Sequence, residues 1–142
     1  MLSKTAQYAI KALIHLAGNS DISNKVLAAS LAEQIDVPKP FLSKILQQLA
    51  NADLVSAMKG PKGGFYLTAE QKDHSLYQVV VAADGKDTFG KCILGLHECD
   101  YDNPCAVHHL VSASQTALRE NLMNVSLLDA AGDPSTDAYG LP

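Results

Sequence analysis

The apolar residues of the first 52 positions recur at helical spacing in three separate stretches. Residues 2–17 carry alanines, leucines and isoleucines on one helical face, and Gly18 is suited to end that helix. Similar stripes predict a second helix over residues 25–34 and a third over residues 38–52, where Pro38 fits the first turn. The third helix is predicted to bury Phe41, Leu42, Ile45, Leu46 and Leu49. Two short helices joined by a tight turn form a helix-turn-helix motif.

A β-hairpin is predicted directly after the third helix. Residues 54–59 and 65–68 have strand-like composition, and the turn between them is Gly60-Pro61-Lys62-Gly63-Gly64. A helix-turn-helix followed by such a hairpin is a winged helix. The sequence therefore predicts a mostly α fold whose winged helix-turn-helix DNA-binding domain covers residues 1–85, with a fourth helix over residues 75–83.

The second half of the chain is predicted to be a loop followed by one long helix. Residues 86–103 form the loop, residues 104–128 a helix, and residues 129–142 a disordered tail rich in Gly, Pro, Asp and Ser. Apolar or small residues recur along the helix at intervals of three and four, namely Val107, Val111, Ser114, Leu118, Leu122 and Val125. This heptad-like stripe predicts a dimerisation helix and hence a homodimer.

Charge is distributed unevenly along the chain. Residues 1–72 carry a net charge of +3 and residues 73–142 a net charge of −7, within a formal total of −4. The basic half suits a double-stranded DNA operator, and the acidic half indicates a different task. No apolar run is long enough to span a bilayer and no signal-peptide pattern is present, so we expect a cytoplasmic protein without a membrane partner.

The candidate DNA contacts lie on the solvent side of the third helix and at the wing. They are Lys39, Ser43, Lys44, Gln47, Gln48, Lys59 and Lys62. A recognition helix in the major groove presents such side chains to base edges, where glutamine pairs with adenine and lysine with guanine. The two wing lysines are positioned to meet phosphate.

All three cysteines of the chain lie close to a histidine, in the spacing C-x6-C-x5-C-x2-H. The residues are Cys92, Cys99, Cys105 and His108. An odd, clustered set of thiols does not resemble a disulfide framework, whereas thiolate and imidazole are soft metal ligands. Spacing alone leaves three alternatives open, which are an iron–sulfur cluster, a tetrahedral zinc site and three metal-free thiols. His109 shares the helix face of Cys105 and is an alternative fourth ligand.

The sequence carries no motif of an enzyme. A thiol redox enzyme is the alternative from a different functional class, but the cysteines form no C-x-x-C pair and no nucleotide or substrate motif is present. We therefore expect a protein that is not an enzyme.

These motifs together resemble the Rrf2 family of bacterial transcription regulators, and within it the regulators that sense iron–sulfur clusters. The resemblance covers about residues 1–126 and depends on the third helix, the Lys59–Phe65 wing and the cysteine segment that begins at Cys92. It implies a homodimer with a [2Fe–2S] cluster on Cys92, Cys99, Cys105 and His108, whose state controls operator binding. The implied signal is cluster supply, redox state or nitric oxide.

This chain departs from the family pattern at several positions. Lys59 stands where the family usually has arginine, which removes bidentate reach at the wing. Family members that sense nitric oxide hold a [4Fe–4S] cluster with an acidic ligand from the first helix of the other subunit, and the matching residue here is Gln7. The resemblance therefore favours [2Fe–2S] over [4Fe–4S], with zinc as the alternative metal.

Overall fold

The computed structural model of the protein describes residues 2–96 and 100–132. Within those ranges the helices are α1 (Lys4–Asn19), α2 (Ala28–Ile35), α3 (Lys39–Asn51), α4 (Ala69–Lys72), α5 (Leu76–Asp84), α6 (His108–Met123) and α7 (Leu127–Ala131). One antiparallel sheet of two strands consists of β1 (Ser56–Met58) and β2 (Gly64–Tyr66), and a 3₁₀ turn covers Lys86–Phe89. The predicted mostly α winged-helix fold is confirmed.

Helix α1 forms the centre of the core. The hydroxyl of Ser3 caps its first turn by accepting a hydrogen bond from the backbone N–H of Ala6 at 3.0 Å. Ala6, Ala9 and Ala12 are fully buried, and their short side chains allow other helices to approach closely. Helices α3, α5 and α7 all pack against α1. The DNA-binding motif and the C-terminal end of the described chain therefore share one core.

The predicted helix-turn-helix is formed by α2 and α3. Helix α2 ends at Asp36, whose φ of 54° places it in the left-handed region typical of helix C-termini. Helix α3 buries Leu42, Ile45, Leu46 and Leu49, as predicted. The predicted burial of Phe41 is wrong, because its side chain is 61% exposed. Phe41 lies in the first turn of α3 at the edge of the buried face, whereas the next residue, Leu42, is fully buried.

The predicted hairpin is also present, and it is anchored to the segment before α2. Ser56 pairs with Tyr66, and Met58 pairs with Gly64. The backbone of Val26 exchanges two hydrogen bonds with Phe65, at 2.8 Å and 2.7 Å. The wing is therefore fixed to the helix-turn-helix by backbone pairing as well as by side-chain packing.

The long C-terminal helix is shorter than predicted. Helix α6 begins at His108 rather than at residue 104 and ends at Met123. Ser126 starts α7 with a capping box, and the fully buried Leu127 directs this short helix onto α1. The burial of Leu127 and the new N-cap at Ser126 therefore end the helix that the apolar stripe predicted to continue. Of the predicted disordered tail, residues 129–132 belong to α7 and its C-terminal turn, while residues 133–142 lie outside the described residues.

Helix α7 is attached to the start of α5 by two backbone hydrogen bonds. The N–H of Leu127 donates to the carbonyl oxygen of His74, and the N–H of Leu76 donates to that of Val125, each at 2.9 Å. These bonds satisfy N-terminal donors of both helices. The segment after α6 is therefore held in register with α5.

None of the helices in the described ranges has the length and apolar character needed to cross a membrane.

Replacing Leu127 by alanine tests whether α7 belongs to the core. Leu127 is fully buried, so Leu127→Ala is expected to lower the free energy of unfolding by about 2–5 kcal/mol. The matched control is Leu128→Ala, because Leu128 is 48% exposed one position later in the same helix. Urea denaturation of both variants measures the difference. Equal losses would mean that α7 does not pack as described.

Candidate functional site

Helix α3 presents a continuous exposed face. Lys39, Ser43, Lys44 and Gln47 are all exposed on the side opposite its buried leucines. Phe41 adds an exposed aromatic ring to the same N-terminal part of the helix. Sequence periodicity assigned Phe41 to the core, and the only signal against this was its place in the first turn. The result is a mixed surface of two lysines, two polar side chains and one ring.

Gln48 has a different environment from the other predicted DNA contacts. Its side-chain amide donates a hydrogen bond to the carbonyl oxygen of Ala82 at 2.7 Å. Ala82 lies in the last turn of α5, where carbonyl groups lack helical partners. The amide of Gln48 is therefore engaged between α3 and α5, where it positions the recognition helix.

The tip of the wing carries both predicted lysines. Lys59 and Lys62 are exposed at the turn that joins β1 to β2. The turn is closed by a hydrogen bond of 2.9 Å from the N–H of Gly63 to the carbonyl oxygen of Gly60. A Cβ atom on Gly63 would overlap the carbonyl oxygen of Met58 and lie 2.9 Å from that of Gly60. The close backbone approach therefore requires glycine at position 63.

The cysteine segment lies between the 3₁₀ turn and α6. Cys92 is buried, with 6% of its surface exposed, and Cys105 is half-buried. The backbone N–H of His108 donates to the carbonyl oxygen of Cys105 at 3.1 Å, which places the two residues in one turn at the start of α6. The remaining predicted ligand, Cys99, lies outside the described residues. Within residues 2–96 and 100–132, no three His, Cys, Asp or Glu side chains are grouped as metal ligands.

Among the predicted ligands that the structure describes, His108 is the most deeply buried. Its side chain is 1% exposed, and the ring of Tyr101 meets it edge-on with centroids 4.6 Å apart. The exposed His109 also contacts it edge-on, with centroids 5.3 Å apart. The environments of the two histidines therefore differ sharply. Sequence reasoning did not single out Tyr101, although it is the one aromatic residue between Cys99 and Cys105.

An apolar cleft of about 640 Å³ opens beside Cys92. It lies between the start of α1, the 3₁₀ turn and α6, and its apolar lining comes from Leu2, Phe89, Ile93, Val111 and Leu118. Ser3 closes one end through hydrogen bonds from its N–H and its hydroxyl to the carboxylate of Asp84. The cleft therefore joins the cysteine segment to the exposed apolar surface of α6.

The two remaining described histidines lie away from this segment. His15 is on α1, where burial lowers its pKa and a hydrogen bond with Gln34 opposes that shift. His74 contributes its carbonyl oxygen to the contact with α7. Neither joins the predicted ligands.

Comparisons with known proteins identify a family and a shared fold. The Rrf2 family model, described as an iron-dependent transcriptional regulator, matches residues 2–133. A protein of Aquifex aeolicus named as an HTH-type transcriptional regulator is 30% identical over 91% of this chain and 90% of its own length. The HTH-type transcriptional regulator IscR of Vibrio campbellii is 27% identical over 89% of this chain and 74% of its own length. The structure of CymR, the global cysteine regulator of B. subtilis, matches with a TM-score of 0.74 and 22% identity over 92% of this chain and 95% of that chain.

Replacing Gly63 by alanine tests the conformation of the wing. The overlap with the Met58 carbonyl forces the turn to rearrange, which is expected to cost about 1–3 kcal/mol, the usual cost of a strained backbone site. Amide chemical shifts of Ser56–Tyr66 should move throughout the hairpin. Gly18→Ala is the control, since a Cβ there would meet Ala131 at an ordinary 3.6 Å. An unchanged hairpin spectrum in Gly63→Ala would contradict the described turn.

Proposed function

The chain belongs to the Rrf2 family of transcriptional regulators, and from this premise we propose that it binds operator DNA as a homodimer under the control of an iron–sulfur cluster. The cluster ligands in this proposal are Cys92, Cys99, Cys105 and His108. The observation that carries the proposal is the hydrogen bond from Gln48 to Ala82, because it connects the recognition helix to the element that leads into Cys92.

The proposed DNA surface combines α3 with the wing. Lys39, Lys44, Gln47 and Ser43 are available to base edges or phosphates because their side chains are exposed on one helix. The exposed Phe41 offers an apolar contact of the kind that reads a thymine methyl group. Lys59 and Lys62 extend this surface along the wing towards the DNA backbone. We leave Gln48 out of the base contacts, since its amide is engaged with α5.

The proposed dimer uses α6. His108 is the only residue of this 16-residue helix that is buried, so its apolar residues remain partly or fully exposed. Leu110 is 77% exposed, while the neighbouring Val111 and Leu118 line the apolar cleft. Exposed apolar surface of this kind marks an interface. In a two-fold dimer the same surface of a second copy would cover it.

The donor chemistry of the cysteine segment fits an iron–sulfur cluster. Thiolates select iron–sulfur clusters or zinc, and histidine replaces cysteine at some [2Fe–2S] centres. Burial of Cys92 and His108 shields both side chains from water. Cys99 completes the donor set in this proposal. Such a cluster would be gained, lost or oxidised in response to iron supply, oxidants or nitric oxide.

The chain itself provides a short route from this segment to the DNA surface. Cys92 follows the 3₁₀ turn by three residues, and that turn follows α5 directly. The carbonyl oxygen of Ala82 at the end of α5 then holds Gln48 of α3. Displacement of the cysteine segment therefore acts on the recognition helix through α5. In a dimer, a small tilt of α3 alters the match to half-sites spaced about 34 Å apart.

Metal and sulfide analysis of protein purified without oxygen tests the cofactor. We expect a red-brown protein with about two iron and two sulfide ions per chain, the composition of [2Fe–2S]. Cys92→Ala should remove the visible absorption, and His108→Ala should shift or bleach it. His109→Ala is the matched control and should retain it, because His109 is exposed beside the buried His108.

The other outcomes of that analysis lead to different conclusions. Iron and sulfide near four per chain would indicate [4Fe–4S] and reopen the fourth ligand. A colourless zinc protein would support the structural zinc site instead. Absence of metal after reconstitution would leave the thiols as direct sensors. If the chromophore is lost without any change in operator affinity, the cluster does not control DNA binding.

The salt dependence of DNA binding tests the proposed surface. Affinity for a duplex selected by its binding to the protein should fall steeply with salt, since lysine contacts release counterions from phosphate. Lys59→Gln and Lys62→Gln should each weaken binding and reduce the slope of log affinity against log salt by about one. Lys86→Gln is the control, as an exposed lysine outside α3 and the wing. A salt-independent affinity would rule out the assigned lysines.

A further inference from the structure

A small polar pocket lies beside the apolar cleft. Its volume is about 230 Å³, and it opens between α6 and the segments before that helix. Its lining consists of Phe89, Gly90, Tyr101, Ser112, Gln115, Thr116 and Arg119. Phe89 and Gln115 line both cavities and separate them. The polar pocket therefore occupies a different face of α6 from the one assigned to the dimer.

Four hydrogen-bonding side chains converge on this pocket from α6. Ser112, Gln115, Thr116 and Arg119 stand at positions i, i+3, i+4 and i+7, so they share one helix face. Arg119 is the only arginine in the chain. Within residues 2–96 and 100–132, its guanidinium makes no ion pair, and the hydroxyls of Ser112 and Thr116 make no hydrogen bond. The donors of this face therefore remain available to a ligand.

We propose that this pocket binds a small carboxylate. A guanidinium binds a carboxylate through two parallel hydrogen bonds, and the neighbouring hydroxyl and amide groups supply further donors. No acidic side chain is among the described residues that line the pocket, so none of these residues would repel a carboxylate. The rings of Phe89 and Tyr101 provide apolar walls for the rest of the ligand. The described lining thus suits a carboxylate that has an apolar remainder.

The position of the pocket connects it to the proposed cofactor segment. Tyr101 lines the pocket and also contacts the ring of His108 edge-on at 4.6 Å. A bound carboxylate that displaces Tyr101 therefore changes the packing around His108. This regulatory consequence rests on the proposed function, whereas the binding site itself does not.

Calorimetric titration of the full-length protein with benzoate, succinate and inorganic phosphate tests the site. We expect saturable binding of a carboxylate probe, with shifts in the NMR signals of Tyr101. Arg119→Gln should weaken that binding about tenfold, the usual effect of losing a charge-assisted hydrogen bond. Thr116→Ala should weaken it about threefold, the effect of losing a neutral one. Lys86→Gln is the charge-matched control, because this exposed lysine does not line the pocket.

Three outcomes would overturn the assignment. They are absence of saturable binding by either carboxylate, equal carboxylate affinity in Arg119→Gln and the unsubstituted protein, and binding of phosphate alone. Arg119 and Thr116 both lie on the surface of α6, so the thermal midpoints of the variants should match that of the unsubstituted protein. The titration requires neither DNA nor a cluster, and its failure is therefore distinguishable from failure of the proposed function.

Discussion

Close packing around the alanine face of α1 is the constraint on which the remaining architecture depends. Ala6, Ala9 and Ala12 have no exposed surface, and larger side chains there would push neighbouring helices away from the axis. Helices α3, α5 and α7 meet at this one helix. The DNA-facing motif and the C-terminal segments therefore cannot move independently, because a shift of any one of them must be accommodated by the same tightly packed face.

Within this shared core, α5 is the helix that connects α1, α3 and α7. Helix α5 packs on α1 and holds Gln48 of α3 through the carbonyl oxygen of Ala82. It is also fixed at its other end by the backbone bonds of His74 and Leu76 with α7. Helix α6 packs on α5 and on the 3₁₀ turn but has no comparable contact with α3 in the described ranges. In the proposed regulation, the end of α5 therefore provides the direct contact path from the cysteine segment to α3.

Local periodicity and turn chemistry were enough to predict the winged helix, whereas the tertiary packing of several side chains was not predictable. The apolar stripes of α1–α3 and the Gly-Pro turn of the wing each favour a single secondary structure from local sequence alone. Phe41 fits the apolar stripe of α3 but lies at the edge of the core. Val125 continues the stripe predicted for α6 but follows the end of that helix, and the nearby Leu127 packs on α1. Spacing identified the thiols and His108 as a set, but their arrangement depends on loop geometry that no periodicity encodes. Tyr101 and the polar face of Arg119 were not predicted, because they belong neither to an apolar stripe nor to the cysteine–histidine spacing.

Helix α6 presents two chemically different faces, each of which lines a cavity. Its apolar face borders the cleft near Cys92, and its polar face carries Arg119 with three neutral donors. A helix that packed fully within its own chain would not retain both, because burial of unpaired donors is costly. With only His108 buried, α6 leaves its apolar side for the proposed second copy and its polar side for the proposed carboxylate. Phe89 and Gln115 line both cavities, so a molecule bound in one cavity contacts residues that also line the other.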